Sequence, residues 1–468
     1  MTSKEIKTKP LQLLTSQREI NRFNLKPEQP LFALTSDGGM VKSQDPRVNS
    51  VGELLTKVED LLLEPEAVFC EEILSRILDK STSSVARLEP QALLSPLEFE
   101  AYVYRFKNGG AYLNPTQDFY AVVDETKLPV AYGSRSSLCP PMANISIFSQ
   151  KLMNIPDEPV CTGGVQPCLR NEVIYEQEKI RFPWFTQTDI ELIAITSLDQ
   201  QENQEILLDT YSCYQMIKAL ELAGIPNKSI EIRINNYMQI LNNVLGDQVP
   251  WLEKEIFGYQ SLNNLSALKA ARKTETDEYR IEQKQSLNKL SNFCKKFDVP
   301  EEAQAFFSNI ITKGGYDFSC LSDNPGESPE IITNFNYIDA IQAYLRLITT
   351  STLLRNFFPG RQICKIDPLS YRGGFPGYDK TTMQIDVILP NDQVMIEVGG
   401  GGAYPNSLQT AAEVLGDSYL NQPQSYAVGF ALGNARVYSA MEKFLPSPQV
   451  NSTVSVLSWN EFLEVCNQ

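Results

Sequence analysis

The chain has 468 residues, of which 42% are hydrophobic and 10% aromatic, so it is a globular protein with a sizeable core and not a disordered one. Its 41 basic residues against 57 acidic ones leave a net charge of −16, which argues against broad adhesion to nucleic acid, confines any nucleic-acid site to a local basic patch, and fits a protein partner at least as well. It contains no histidine, which excludes Ser-His-Asp and Cys-His catalysis and histidine-ligated zinc.

The nine cysteines are scattered and predict reduced thiols of an intracellular protein. There is neither an apolar run of transmembrane length nor a secretory core segment, so the expectation is a cytoplasmic or otherwise intracellular protein with no membrane contact. Secretion into a host cell without a cleaved signal peptide is the alternative.

In chain order, residues 1–45 read as a loose polar segment. Residues 46–185 read as mixed helix and β-meander. Apolar residues at three- and four-residue steps predict helices over Val51 to Leu63 and Ala67 to Leu78, with a hinge at Glu64-Pro65-Glu66. Ala101 to Phe106 and Asp118 to Asp124 alternate as strands do, with Asn108-Gly109-Gly110 as a turn between them. A loop rich in Pro140, Pro141, Cys161, Gly163 and Gly164 is expected beside them.

Residues 186–320 read as helical. Ile206 to Leu222 is amphipathic and closed by Gly224 and Pro226. Ser229 is placed to cap a partner helix over Ile230 to Leu245. Further helices are expected at Trp251 to Phe257, Leu262 to Phe297 and Glu301 to Thr312, before a linker at Ser322 to Pro329.

Residues 330–468 follow the order αββαβαβα, which suits an α/β core. The opening helix carries Tyr337, Ile341, Tyr344 and Ile348. Two strands follow, over Gln384 to Pro390 and Val394 to Val398, joined at Asn391-Asp392-Gln393. A loop is expected from Gly399 to Asn406, then a helix to Leu415, a strand at Tyr426 to Ala431, a helix at Arg436 to Phe444 and a strand at Thr453 to Leu457. Ser458 and Glu461 form a capping box for the last helix.

The strand pair carries the most informative chemistry. Each strand is rich in branched apolar residues and holds one acid, Asp386 or Glu397. Paired as a hairpin, the strands bring both carboxylates to neighbouring positions, as a divalent cation in phosphodiester chemistry needs. Arg372 and Lys380 are candidate phosphate contacts, and Tyr371, Phe375, Tyr378 and Tyr404 are candidate base-stacking residues. Gly399 to Gly402 lacks the Gly-Lys-Ser/Thr ending of a phosphate loop, so no nucleotide or haem cofactor is expected. Bare amides such as that of Gly400 can still approach a phosphate closely.

The Asp-strand, Glu-strand pattern resembles the PD-(D/E)xK nuclease fold, and more closely the RAP domain, a restriction-endonuclease-like module regarded as RNA-binding. The run Ile396-Glu397-Val398-Gly399-Gly400-Gly401-Gly402-Ala403-Tyr404 stands where that family carries its Ile-Glu-Val-Asp-Gly-Pro core, and Trp459 follows the last predicted strand. Gly399 occupies the position of the nuclease lysine and of the RAP aspartate. The resemblance covers the C-terminal part alone and implies a restriction-endonuclease-like α/β domain there; with the mostly helical N-terminal body and small β-meander read from the residues above, the expectation is a multidomain α+β protein. It implies RNA binding or processing, with Asp386 and Glu397 as ligands of Mg²⁺ or Mn²⁺ and Lys380 assisting a water. Lys365 and Lys443 are weaker substitutes for the missing lysine. The rival reading is a non-enzymatic interaction scaffold, or an effector that docks an intracellular protein partner.

Overall fold

This computed structural model describes residues 15–34, 40–42, 48–101, 120–133, 144–156, 158–169, 184–236, 338–358, 364–366, 378, 380–390, 395–445 and 448–467. The α+β class expected from the sequence is what these residues form. Strands β1 (Leu31–Leu34), β2 (Met40–Lys42), β4 (Leu93–Leu94), β5 (Tyr120–Val123) and β6 (Pro129–Gly133) make a five-stranded sheet in the order β2-β1-β5-β6-β4.

The second sheet positions the candidate site. Its strands are β3 (Val85–Arg87), β7 (Val160–Leu169), β8 (Trp184–Ile195), β9 (Ile230–Asn235), β10 (Cys364–Ile366), β11 (Thr382–Ile388), β12 (Met395–Ala403) and β13 (Ser425–Gly433). They run in the order β10-β9-β11-β12-β13-β8-β7-β3. The interior pairings are antiparallel, and the parallel ones are at the two edges, β10 with β9 and β3 with β7. This sheet draws strands from each segment the sequence set apart between residues 46 and 468.

Helices α1 (Thr15–Phe23), α2 (Val51–Leu63), α3 (Pro65–Ser81), α4 (Ile145–Asn154), α5 (Gln201–Leu222), α6 (Ile338–Phe357), α7 (Pro405–Val414), α8 (Asn434–Met441) and α9 (Trp459–Cys466) complete the described elements. Helix α2 starts where expected because the Ser50 hydroxyl accepts from the Glu53 amide. Pro65 breaks the chain between α2 and α3 and opens α3 at its first turn. Helix α5 ends at Gly224, whose φ of +80° suits a residue without a Cβ. The predicted capping box at Ser458 and Glu461 is present, with both reciprocal bonds made.

Alternation gives the large sheet two different faces. One is apolar: Ile190 and Leu192, Val428, Phe430 and Leu432, Met383, Ile385 and Val387, and Ile230, Ile232 and Ile234 are all buried there. Helices α3, α5 and α8 pack against the sheet. A Cβ at Gly163 would come within 2.8 Å of Leu74 and 3.3 Å of Leu78, which puts α3 on the apolar side.

Several sequence expectations are corrected. Ile230 to Leu245 was expected as a helix, but Ile230–Asn235 is strand β9, because Ile230, Ile232 and Ile234 alternate and bury one face. The loop expected from Gly399 is strand β12 as far as Ala403, hydrogen-bonded to β11 on one side and β13 on the other. Cys161, Gly163 and Gly164 lie in strand β7, not in a loop. Thr453 to Leu457 forms no strand. The helices expected between residues 251 and 312, the linker at Ser322 to Pro329 and the turn at Asn108 to Gly110 lie outside the described residues.

Candidate functional site

The other face of the large sheet is polar and mostly buried. Opposed residues on neighbouring strands share a face. One row across it runs Thr162, Glu191, Gly429, Gly402, Thr382 and Asn235. The next runs Gly164, Asp189, Ala431, Gly400, Gln384 and Arg233. The central strands β13 and β12 thus contribute nothing larger than a methyl to these rows. Polar side chains stand on either side, on β8 and on β11 with β9. Three inter-strand steps separate β8 from β11, a width of about 14 Å.

The β8 side is acidic. Asp189 is 0% exposed and Glu191 is 1% exposed. The Tyr404 hydroxyl donates to Glu191 Oε2 at 2.7 Å. Neither carboxylate oxygen of Asp189 has a hydrogen-bond partner, and the Thr162 hydroxyl lacks one too. Burial pushes the Asp189 carboxyl well above the ordinary carboxylate range. It does the same to Glu191; the Tyr404 bond opposes the shift and the neighbouring Asp189 adds to it.

The opposite side is charge-balanced in part. Arg233 Nη2 lies 3.0 Å from Asp386 Oδ2, and its Nε donates to Glu231 at 3.2 Å. Gln384 Nε2 donates to Asp386 at 3.0 Å. Burial still outweighs Arg233 and leaves the Asp386 carboxyl raised.

Aromatic rings close one end of the face. A Cβ at Gly402 would come within 2.8 Å of the Tyr378 ring, and one at Gly429 would collide with the Glu191 carboxylate. Tyr378 and Tyr404 are 6.5 Å apart and belong to a second apolar cluster with Phe148, Leu408 and Ala411. The glycines of β12 and β13 therefore let Tyr378 and Glu191 settle onto the backbone.

The residues singled out from the sequence divide. Asp386 and Glu397 do oppose one another on the β11–β12 hairpin. However, Asp386 is 2% exposed and spends its charge on Arg233, so it is not an open ligand for Mg²⁺ or Mn²⁺. Among the described residues no group of three His, Cys, Asp or Glu is placed to hold a metal ion.

Lys380 does not assist a water near Asp386. Its Nζ is 2.7 and 2.9 Å from the Glu205 carboxylate on helix α5. Tyr404 is 0% exposed and cannot stack on a base. Gly400 lies inside a paired strand. Arg372 and Tyr371 lie outside the described residues.

Sequence reasoning missed Asp189 and Glu191. Their signal was present in Thr188-Asp189-Ile190-Glu191-Leu192, where acids alternate with apolar residues in an otherwise buried strand.

No family model matches the sequence, and no curated protein matches it. Solved structures do resemble the fold. One is a crystal structure of an ATP phosphoribosyltransferase regulatory subunit/histidyl-tRNA synthetase from Bacillus halodurans, at TM-score 0.50 and 13% identity, covering 80% of this chain and 79% of that one. Another is a histidyl-tRNA synthetase from Nostoc sp. PCC 7120, at TM-score 0.49 and 14% identity, covering 80% of this chain and 71% of that one.

The Bacillus likeness spans both the N-terminal and C-terminal parts, and it corrects the RAP and restriction-endonuclease resemblance. The hairpin bearing Asp386 and Glu397 is part of one sheet of the synthetase-like fold. The nuclease, RNA-processing, scaffold and effector readings lose their support with it. No helix among the described residues is long and apolar enough to cross a membrane.

Proposed function

We propose that this chain binds a small basic amino acid on the polar face of its large sheet and couples that binding to a partner macromolecule. The observation that carries the reading is the acidic β8 edge, where buried Asp189 and Glu191 face side-chain-free strands and Tyr404 fixes Glu191. Two buried carboxyls without a cation among the described residues invite a ligand that brings one. The fold supports histidine as the first candidate, since the similar Bacillus halodurans structure is described as a regulatory subunit/histidyl-tRNA synthetase.

Of the two roles named for that protein, the net charge of −16 favours a regulatory subunit with a protein partner over a tRNA ligase, because an acidic chain gains little from replacing phosphate counterions. Calorimetry against the twenty amino acids tests the reading. Histidine is expected to bind, and Glu191→Gln to weaken it about tenfold or more. Binding of no amino acid, or of apolar ones alone, overturns it. Histidine-dependent ATP–pyrophosphate exchange would replace the regulatory role with the ligase one.

A further inference from the structure

Helix α1 is fastened to the body of the protein through one buried carboxyl. Glu19 is 5% exposed. Its Oε1 accepts the Ala92 amide at 3.3 Å, and the Leu93 amide also bonds the carboxyl. Its Oε2 is buried with no hydrogen-bond partner among the described residues. Ala92 and Leu93 stand at the end of a connector, residues 88–92, that runs from β3 at the edge of the large sheet to β4 at the edge of the small one. Strand β7 holds the connector from its other side. Gln91 N donates to Gln166 Oε1 at 3.1 Å, Gln166 Nε2 donates to the Glu89 carbonyl at 3.2 Å, and Leu88 N donates to the Gly163 carbonyl at 2.8 Å. Leu88 and Gln166 occupy the space over Gly164, so the connector walls the β7 end of the polar face.

The charges around Glu19 are already engaged. Arg22, one turn along α1, pairs with Glu98 and lies over the Phe23 ring. Glu98 also accepts the Ser95 amide at 2.7 Å. Arg18 pairs with Glu89 of the connector. On α2, which packs against α1, Glu59 accepts the Ser16 amide at 3.1 Å. Among the described residues both arginines of α1 are thus paired with other acids. An ionised Glu19 would keep two amides and a distant share of Arg22, too little to replace the water it has lost.

We propose that Glu19 is a proton-operated latch: protonated, it lets α1 close on the connector, and ionised, it loosens α1 and the connector together at the β7 end of the polar face. The latch does not depend on which ligand that face takes. Burial raises the Glu19 carboxyl to about 7, against the opposing pull of Arg22 and the two amides, while Glu98 adds to the rise. The folded value lies above the unfolded one of about 4.3, so the latch stabilises in full below about pH 4 and loses that contribution as pH rises through about 7.

Hydrogen exchange of the full chain between pH 5 and pH 9, resolved to peptides and corrected for the intrinsic pH dependence of amide exchange, tests the latch without any ligand. Opening of α1 and of residues 88–94 is expected to rise about tenfold from pH 6 to pH 8 and then level off. Glu19→Gln keeps the shape and an acceptor oxygen but cannot ionise, and is expected to abolish the rise. Arg22→Met removes the nearest charge that favours ionised Glu19, and is expected to move the midpoint to higher pH. Opening that does not change with pH in wild type overturns the proposal. So does a rise that persists in Glu19→Gln, or a midpoint that Arg22→Met leaves in place, since a merely structural role for Glu19 would act that way. Because no ligand enters these measurements, either result leaves the amino-acid reading untouched.

Discussion

Two buried charge clusters lie on opposite sides of the same sheet, and they are built differently. On the helix side, Arg346 of α6 donates to Glu205 at 2.5 Å and to Asp209 at 2.8 Å, both on α5. Lys380 also reaches Glu205, and the Tyr426 hydroxyl donates to Asp209 at 2.6 Å. Two cations meet two acids there. Burial alone would raise the Glu205 carboxyl, but Arg346 and Lys380 hold it below its ordinary value. On the polar face, Asp189 and Glu191 share no described cation, and burial raises both. The first cluster ties α5, α6 and β13 together and is complete in itself. The second leaves both Asp189 oxygens without a hydrogen-bond partner, and that difference is what the proposed binding role rests on.

The largest expected effect breaks the complete cluster. Arg346→Met leaves Glu205 and Asp209 short of their cation and is expected to cost about 3–5 kcal/mol, measured by denaturant unfolding. A loss below about 1 kcal/mol would remove its bracing role. Next, Gly402→Ala pushes a methyl against the Tyr378 ring and is expected to cost about 1–3 kcal/mol. A Tm drop accompanied by weaker histidine binding would tie Tyr378 to the site, and an unchanged Tm would show that the ring moves freely.

The incomplete cluster predicts the opposite sign. The folded carboxyls of Asp189 and Glu191 are raised above their unfolded values of about 3.9 and 4.3. Their contribution is present in full below about pH 4 and is lost as pH rises toward the folded values. At pH 8, Asp189→Asn is therefore expected to stabilise the ligand-free chain by about 1 kcal/mol and to flatten its pH dependence. Destabilisation at pH 8 would mean that Asp189 has a partner in solution. The smallest effect is remote from both clusters: Ser458→Ala removes the α9 cap and is expected to cost about 1 kcal/mol, read as a Tm shift with histidine binding unchanged.

Local patterns made α2, α3, α5 and the Ser458 capping box legible, because helix period, caps and terminators act within a few residues. The β11–β12 hairpin was legible for the same reason, and its register does oppose Asp386 to Glu397. Its meaning was not. Whether Asp386 is an open metal ligand or an ion-paired core residue depends on Arg233, a residue distant in sequence that lies on the neighbouring strand. The glycine run misled in the same way. Glycine disfavours a strand by its own entropy, yet pairing on both sides holds Gly399 to Gly402 in place, and the bare backbone lets Tyr378 settle onto Gly402.

The sequence by itself determined the α+β class, the acidic charge, the exclusion of imidazole chemistry, and the approximate starts of most described helices and of strands β5, β11, β12 and β13. Only the tertiary structure decided that strands β8, β13, β12 and β11 stand side by side. That order places Asp189 and Glu191 beside Gly429, Ala431, Gly400 and Gly402 on one face. The physical reason is that alternation sorts side chains into two faces within each strand, whereas the neighbour of a strand, and so the partner of a buried charge, is chosen by contacts between segments far apart in the chain.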